Sequence, residues 1–260
     1  EPSNIAPDGG DVEERSKIIV ETLGSFGINC KVSYVKSCPS VTQYALETEA
    51  GTKISKISSY QYDLALALAS PTGSVRIEAP IPGKSLIGIE VPNNTKSIVN
   101  IKSLLMSDSM KAMKSKIGIV LGKDVGGQTI VYDISKMPHM LIAVATNSGK
   151  SVFIHSLLFS ILFRASPQEC KFILIDPKRV ELKSYNDIPH LLTPVVTDND
   201  KAASVFRWAV SEMERRYKLF EAAKVRNIDA YNEKSGFSAI PYVIIVVDEL
   251  ADIMMADPAT

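Results

Sequence analysis

The sequence has few of the features that mark secreted, zinc-binding or membrane-spanning proteins. Its three cysteines, Cys30, Cys38 and Cys170, lack C-x-x-C spacing, so they suggest neither a disulfide framework nor a zinc site. No apolar run approaches the roughly 20 residues that a membrane-spanning helix needs. The N-terminal stretch EPSNIAPDGGD is polar and has no signal-peptide core. We therefore expect a soluble protein of a reducing cytoplasm.

An excess of charge of one sign is also missing. The 29 Lys and Arg residues balance the 29 Asp and Glu residues, so the formal net charge is zero. Zero net charge gives no global argument for a nucleic-acid partner, although a local basic surface remains compatible with one. With 260 residues, 45% of them hydrophobic, the chain can bury a sizeable core in one large or two ordinary domains.

The most informative stretch lies between residues 140 and 164. An apolar run, 140–144, predicts a strand, and a small polar turn leads to Gly149, Lys150 and Ser151, followed by the helix-periodic run 152–164. This is the layout of a phosphate-binding loop, in which helix N–H groups face the phosphates, the lysine reaches the outer ones and the serine ligates Mg²⁺. The full pattern is G-x-x-x-x-G-K-[ST]. Val144 occupies its first glycine position, and an ordinary loop is the alternative interpretation.

A second stretch makes a nucleotide site more convincing. The run YVIIVV, 242–247, predicts a strand buried on both faces, and it ends in Asp248 and Glu249. Ligands of open α/β sheets bind at the carboxyl ends of strands. We expect Asp248 to hold Mg²⁺, through water, and Glu249 to polarise the attacking water. A strand followed by an ordinary helix with acidic residues in its first turn is the alternative. The two stretches together, in this order, favour a phosphate-loop NTPase.

The predicted helices and strands divide the chain into two parts. We expect residues 1–10 to be a disordered lead-in and residues 11–108 to form a smaller α+β domain. Strands alternating with helices in residues 109–260 predict an α/β domain, a parallel sheet covered by helices. Residues 106–116 are a short helix or a linker at the boundary. The predicted helices are 12–26, 58–69 (capped by Ser58 or Ser59), 152–164, 199–222 and 226–231; the predicted strands are 30–35, 41–46, 75–81, 87–91, 117–121, 129–132, 140–144, 171–175 and 242–247, with 191–196 a strand or loop.

Two charged groups each admit two interpretations. Asp176 and Lys178 follow the predicted strand 171–175, so either could touch the nucleotide or a neighbouring subunit, or the group could simply form a capped turn. The pair Arg215 and Arg216 on the long predicted helix could contact phosphates or another subunit, or form part of a solvated face.

Several long strings resemble one family. Four strings in the second part of the chain resemble the motor of the FtsK/SpoIIIE family of DNA translocases: FILIDPKRVELKSYNDIPHLLTPVVTD, RWAVSEMERRYKLF, VRNIDAYNEK and YVIIVVDELADIMM. One string in the first part is similar to the family's N-terminal motor subdomain, namely RIEAPIPGKSLIGIEVPN. The likeness runs from about residue 12 to 255. It implies a RecA-like P-loop ATPase core preceded by the smaller domain, and homohexameric rings that use ATP and Mg²⁺ to drive double-stranded DNA through their pore. It also implies chromosome segregation at cell division, on the cytoplasmic face of the bacterial inner membrane, with a membrane-tethering region absent here.

The resemblance also assigns site residues. Lys150 and Glu249 become catalytic, Ser151 and Asp248 become the Mg²⁺ ligands, and no DNA-contacting residue is assigned. The family loop has glycine where this chain has Val144 and Asn147; valine cannot take a positive φ without strain, whereas asparagine tolerates one. A nucleotide-free structural subunit and a related ring motor that moves protein are therefore alternatives. The nucleotide-binding loop comprises Ala145, Thr146, Asn147, Ser148, Gly149, Lys150, Ser151 and Val152.

The position of the last residue leads to one further expectation. The chain reaches Thr260 shortly after the acidic pair. In the family the rest of the RecA core follows, with an arginine supplied to the neighbour's nucleotide, loops that face DNA and a winged-helix module. We therefore expect the RecA-like domain, residues 109–260, to be truncated after the acidic motif and unable to hydrolyse ATP processively alone.

Overall fold

The computed structural model describes residues 8–145 and 148–256, which form two compact units. The first unit contains residues 8–107 and Gly122–Ile130, and the second contains Asp108–Leu121 together with the described residues from Val131 onward. Of the predicted lead-in, residues 1–7 lie outside the described residues, whereas Asp8 pairs with Thr95 in a β-bridge. Within the described ranges, no helix has the length and apolar character needed to cross a bilayer.

The first unit is an antiparallel sheet with helices packed on it, which is the predicted α+β arrangement. The strand order is β1-β2-β4-β3. Tyr44, Leu46 and Ile89 of the sheet are fully buried with Ile19 and Leu23 of the first helix. The elements are α1 (Val12–Ser25), β1 (Cys30–Ser37), β2 (Val41–Thr48), α2 (Ile54–Ser59), α3 (Gln61–Ala67), β3 (Arg76–Glu78), β4 (Ile87–Pro92) and α4 (Ile101–Leu105).

Two predictions in this unit are wrong in detail. The predicted helix 58–69 is two helices, because the chain breaks at Tyr60, where ψ is 16°. Neither Ser58 nor Ser59 caps it; the Ser59 hydroxyl instead donates to the carbonyl of Lys56, inside α2. The predicted strand 75–81 shrinks to three residues, since Pro80 has no N–H to donate to a ladder.

The second unit is built around one buried parallel strand. β7 pairs with β8 in parallel from Cys170 opposite Tyr242 to Ile175 opposite Val247, and its other edge meets Leu191 and Val196 in parallel bridges. The elements that lie wholly in this unit are α5 (Asp108–Ala112), α6 (Lys150–Leu162), β7 (Cys170–Ile175), α7 (Asn199–Ala223), α8 (Ile228–Ser235), β8 (Tyr242–Val247) and α9 (Leu250–Ala256), with 3₁₀ turns at Ile134–Lys136, Lys183–Tyr185 and Gly236–Ser238. Two further strands, β5 (Gly118–Lys123) and β6 (Thr129–Asp133), pair with each other, and the segment Gly122–Ile130 at their turn is assigned to the first unit.

Helices cover both faces of β7. On one face, Phe172 and Leu174 pack in a core with Ile154 and Leu158 of α6. On the other face, Ile173 and Ile175 pack with residues that include Ala202 of α7 and Ile253 of α9. The alternation of side chains along a strand therefore feeds two cores, which confirms the predicted α/β class with a parallel sheet.

The strand that was expected to lead into the phosphate loop is not formed. Residues 140–144 have no strand assignment, and Leu141 is 79% exposed. β8 is partly exposed along its length rather than buried on both faces, because β7 is the one strand in the described ranges that pairs with it. A cavity of about 320 Å³ lies between β8 and Met140, Ile142 and α6. Apolar content predicted burial here, but it could not specify a backbone partner.

The paired arginines of α7 bind a glutamate of the same helix. Glu212 accepts hydrogen bonds from Arg215 Nε at 2.6 Å and from Arg216 Nε at 2.7 Å. Arg216 Nη1 also donates to the carbonyl of Pro241, just before β8, at 2.8 Å. The hydrogen bond from Arg215, assisted by that from Arg216, outweighs partial burial and lowers the pKa of Glu212 to about 2. Arg216 therefore ties α7 to the start of β8, whereas Arg215 binds Glu212 on the exposed side of its own helix.

We predict that Glu212→Gln destabilises the protein in a pH-dependent way. A carboxylate with a depressed folded-state pKa stabilises the fold above its unfolded pKa, so at pH 7 the loss should be roughly 1–3 kcal/mol. The difference from the wild type should shrink as the pH falls from about 4.5 towards 2. Urea unfolding across this range measures it. Glu214→Gln, at an exposed position on the same helix, is the control, and equal unfolding midpoints for the two variants at pH 7 would contradict the prediction.

Candidate functional site

The N-terminus of α6 carries backbone N–H donors for which the described residues supply no acceptor. Gly149 precedes the helix with a φ of 103°, a left-handed conformation that favours glycine, and a Cβ built there would meet nothing within 4 Å. The Gly149 carbonyl accepts from the N–H of Phe153 and closes the first turn. No side chain in the described ranges caps this end. The first N–H groups and the helix dipole therefore present positive charge to the space in front of Lys150.

The structure brings Lys150 together with the acidic pair at the end of β8. Its Nζ lies 3.2 Å from Asp248 Oδ1 and 3.3 Å from Glu249 Oε2, and it donates to the main-chain carbonyl of Asp248 at 2.8 Å. These residues are far apart in sequence. They meet because β8 ends at Val247, at the edge of the parallel pair where α6 begins.

The charges of this cluster reinforce one another. Partial burial lowers the pKa of Lys150, but the close ion-pair contacts with Asp248 and then Glu249 outweigh it, so the pKa of the ammonium lies above its usual value. The hydrogen bond from Lys150, with a smaller contribution from Lys178, holds the pKa of Glu249 below its usual range. Lys150 and Glu249 are therefore both ionised at neutral pH.

Asp248 and Ser151 have the chemistry that Mg²⁺ requires. Asp248 is only 6% exposed, and its Oδ1 accepts no hydrogen bond from the described residues although it faces the ammonium of Lys150. A buried carboxylate oxygen with unused lone pairs is the kind of acceptor that Mg²⁺ or a metal-bound water satisfies. The Ser151 hydroxyl, in the first turn of α6, supplies a second hard oxygen. The two residues therefore fit the ion that the sequence predicts.

The turn after β7 lies against this cluster. Asp176 is fully buried, and its Oδ2 accepts from the N–H groups of Glu181 at 3.0 Å and Leu182 at 2.9 Å, which matches the capped-turn alternative. Lys178 instead reaches the acidic residues, with Nζ 3.5 Å from Glu249 Oε2 and 3.6 Å from Asp252 Oδ2. One turn thus contains both a structural carboxylate and a lysine near the site.

Sequence reasoning missed two side chains beside the phosphate loop. Glu181 Oε1 accepts a hydrogen bond from the Ser151 hydroxyl at 2.7 Å, and its Oε2 lies 3.8 Å from His155 Nε2. The available signal was positional: Glu181 follows a buried strand whose carboxyl end shares the edge with the loop. Ser151 and His155 also lie one turn apart, at i and i+4, on the same face of α6.

The remaining residues of the predicted loop have varied surroundings. The Ala145 carbonyl accepts from the N–H of Ser148 at 3.1 Å and from the Ser148 hydroxyl. Val144 is not among the residues with a positive φ, so the expected strain at this position does not arise. Val152 is largely exposed. The other two predicted members, Thr146 and Asn147, lie outside the described residues.

Comparison with protein families and curated relatives covers nearly the whole chain. The family model described as the FtsK/SpoIIIE family matches residues 100–260, and that of the FtsK alpha domain matches residues 1–93. The DNA translocase FtsK of Caldanaerobacter subterraneus subsp. tengcongensis is 54% identical over 246 residues, covering 95% of this chain and 34% of its own length. The DNA translocase SftA of Bacillus subtilis is 44% identical over 261 residues, covering 99% and 27%. The chain spans about a third of the length of the curated relatives it matches.

Two solved structures share the fold. The pCW3 conjugation coupling protein TcpA, in a monomer form with ATPγS, aligns with a TM-score of 0.51 at 23% identity, covering 94% of this chain and 67% of that protein. The cytoplasmic domain of the type VII secretion ATPase EccC of Thermomonospora curvata aligns with a TM-score of 0.52 at 23% identity, covering 63% and 22%. At these identities the likeness concerns the fold alone, and it agrees with the predicted α/β class of the second unit.

We predict that Asp176→Ala lowers the free energy of unfolding by about 2–4 kcal/mol, because it leaves two N–H groups without their charged acceptor. Asp176→Asn keeps an acceptor oxygen of the same shape and should lose less. Urea unfolding of both variants measures the difference. If the alanine variant were as stable as the wild type, Asp176 would not hold the turn.

Proposed function

The chain belongs to the FtsK/SpoIIIE family, and on that basis we propose that it is the motor part of an ATP-driven translocase of double-stranded DNA. The observation that supports this proposal best is the contact of Lys150 with Asp248 and Glu249, which joins the start of α6 to the end of β8. We further propose a homohexameric ring that serves chromosome segregation at cell division, at the cytoplasmic face of the inner membrane. Residues 11–108 would form its smaller subdomain and residues 109–260 its RecA-like ATPase part.

Nucleotide binding in this proposal begins as an exchange of partners at Lys150. Its ammonium is held by carboxylates and can turn to the outer phosphates of ATP, which offer the same charge and geometry. The open N–H groups of α6 bind the inner phosphates. Bound Mg²⁺ neutralises phosphate charge, and Ser151 and Asp248 would hold it, Asp248 through water.

Glu249 is the residue that we propose to act on the attacking water. Its carboxylate lies at the edge of the cluster, is a third exposed and has a lowered pKa, so it is ionised and accessible to solvent at neutral pH. An ionised carboxylate accepts a hydrogen bond from water and orients its lone pair towards the phosphorus. Lys178 remains near Glu249 Oε2 when Lys150 turns away, which keeps the carboxylate in place.

We predict that Lys150→Ala weakens ATP binding about 100-fold or more, because a charge-assisted contact to the phosphates is lost. Calorimetric titration of the chain with ATP and Mg²⁺ measures this loss. Lys218→Ala, at an exposed position on α7, is the matched control and should bind as the wild type does. A wild-type chain that gives no heat of binding would favour the nucleotide-free structural subunit, and unchanged affinity in Lys150→Ala would remove Lys150 from the site.

We predict that Glu249→Gln keeps ATP affinity and lowers the rate of hydrolysis about 10²–10⁴-fold, the usual effect of losing a general base. The rate is best measured in a complete motor protein that contains these 260 residues, in the presence of duplex DNA. The wild-type rate should rise with duplex DNA, and this stimulation should fall steeply with salt, because phosphate contacts release counterions. An ATPase insensitive to DNA would favour the protein-moving alternative, and normal hydrolysis by Glu249→Gln would exclude the assigned role.

A further inference from the structure

Glu181 has no part in the mechanism proposed above, yet the structure fixes its position firmly. Its N–H and that of Leu182 donate to the buried Asp176 carboxylate, and Leu182 is itself fully buried in the core beside α6. The backbone of Glu181 is thus anchored on both sides of its Cα. Its side chain lies along the first turns of α6, where its carboxylate contacts Ser151 and His155.

The carboxylate of Glu181 is held at both oxygens. Oε1 accepts the hydrogen bond from the Ser151 hydroxyl, and Oε2 lies 3.8 Å from His155 Nε2. His155 is positioned in turn, because its Nδ1 lies 2.8 Å from the hydroxyl of Tyr185, a buried residue whose ring stacks on the imidazole. A chain of side-chain contacts therefore runs from the core through Tyr185 and His155 to Glu181 and ends at Ser151.

Ser151 differs from the later serines of the same helix. Ser156 donates its hydroxyl proton to the carbonyl of Val152, and Ser160 donates to the carbonyl of Ser156, which is the usual local bond of a helical serine. Ser151 donates to a side chain of another segment instead. A carboxylate only accepts hydrogen bonds, so the hydroxyl proton must point at Glu181. Both lone pairs of Ser151 Oγ are then available to another partner.

The availability of those lone pairs matters for a metal ligand. A serine hydroxyl has one proton and two lone pairs, and it can bind a cation only through a lone pair. A carboxylate that accepts the proton fixes the rotation of the hydroxyl and increases the negative charge on its oxygen. The Ser151 hydroxyl donates to Glu181 and not to Asp248, whose Oδ1 lies 3.2 Å from Lys150 Nζ. The outer partner of Ser151 is Glu181.

We propose that Glu181 is a positioning residue for Mg²⁺, because it takes the proton of the Ser151 hydroxyl and leaves the lone pairs of this oxygen facing the metal–nucleotide complex. This inference rests on the proposed function, since it concerns the same nucleotide site. Glu181 touches neither nucleotide nor metal in this scheme; it acts through Ser151.

Nucleotide binding with and without metal tests the proposal. The dissociation constant of a non-hydrolysable ATP analogue is measured for the chain in Mg²⁺ and in EDTA. In the wild type Mg²⁺ should strengthen binding. Glu181→Gln, which keeps the shape of the side chain, and Glu181→Ala should lose about 10–100-fold of this strengthening, the usual effect of removing an outer partner of a metal ligand. Their binding in EDTA should be unchanged.

Two controls separate positioning from folding. Glu233→Gln, at an exposed position on α8, should retain the full effect of Mg²⁺. In a Ser151→Ala background, the further change Glu181→Gln should have no effect on metal dependence, because its partner is gone. Additive losses in this double-mutant cycle, or equal losses in Mg²⁺ and EDTA, would overturn the proposal and leave Glu181 a structural role.

The outcomes also distinguish this proposal from the one on which it rests. If the wild-type chain binds the analogue and Mg²⁺ strengthens binding equally in Glu181→Ala, the nucleotide site stands and the role of Glu181 is refuted. If the wild-type chain binds the analogue in neither condition, the nucleotide site itself is refuted and the role of Glu181 falls with it.

Discussion

The second unit depends on one electrostatic contact, the ammonium of Lys150 between the carboxylates of Asp248 and Glu249. Without a counter-ion, the buried Asp248 and its acidic neighbour would repel each other at the end of a strand in low dielectric. Lys150 removes that cost, and it does so with a group whose natural alternative partners are phosphate oxygens. The ion pair therefore neutralises the end of β8 and keeps charged groups beside the start of α6, and in the proposed function these groups exchange partners with the phosphates of ATP.

A layer of supporting groups surrounds this contact. Asp176 holds the turn after β7 by two backbone hydrogen bonds, and the turn delivers Lys178 to one side of the cluster and Glu181 to the other. None of these supporting contacts requires a ligand to be present. Side chains from this turn therefore contact the first turns of α6, whereas a Cβ built on Gly149 would meet no described atom within 4 Å.

The sequence was most informative where a pattern and a chemical requirement coincided. Alternation and apolar runs predicted β1, β2, β4, β7 and β8 closely, and the meeting of Lys150 with Asp248 and Glu249 followed from the rule that ligands gather at the carboxyl edge of a parallel sheet. The break at Tyr60 and the unformed strand at 140–144 were not predictable, because apolar spacing reports burial but not which backbone groups find partners. The position of Glu181 beside α6 was not predicted, because it depends on hydrogen bonds from the backbone of Glu181 and Leu182 to the side chain of Asp176. No periodicity in the sequence reveals a contact of this kind.

The parallel register of β7 and β8 also bears on how the chain folds. Cys170 and Tyr242 are paired although they are about 70 residues apart, and α7 and α8 lie between them. Closing a loop of this length costs conformational entropy before the pairing of β7 with β8 contributes any stability. We therefore expect this pairing to form late in folding. Asp248 and Glu249 directly follow β8, so they reach Lys150 only when β8 pairs with β7. In a partly folded chain that lacks this pairing, Lys150 has no carboxylate partner even if α6 is already helical. In the proposed function, the ability to bind a triphosphate therefore appears only once β8 has paired with β7.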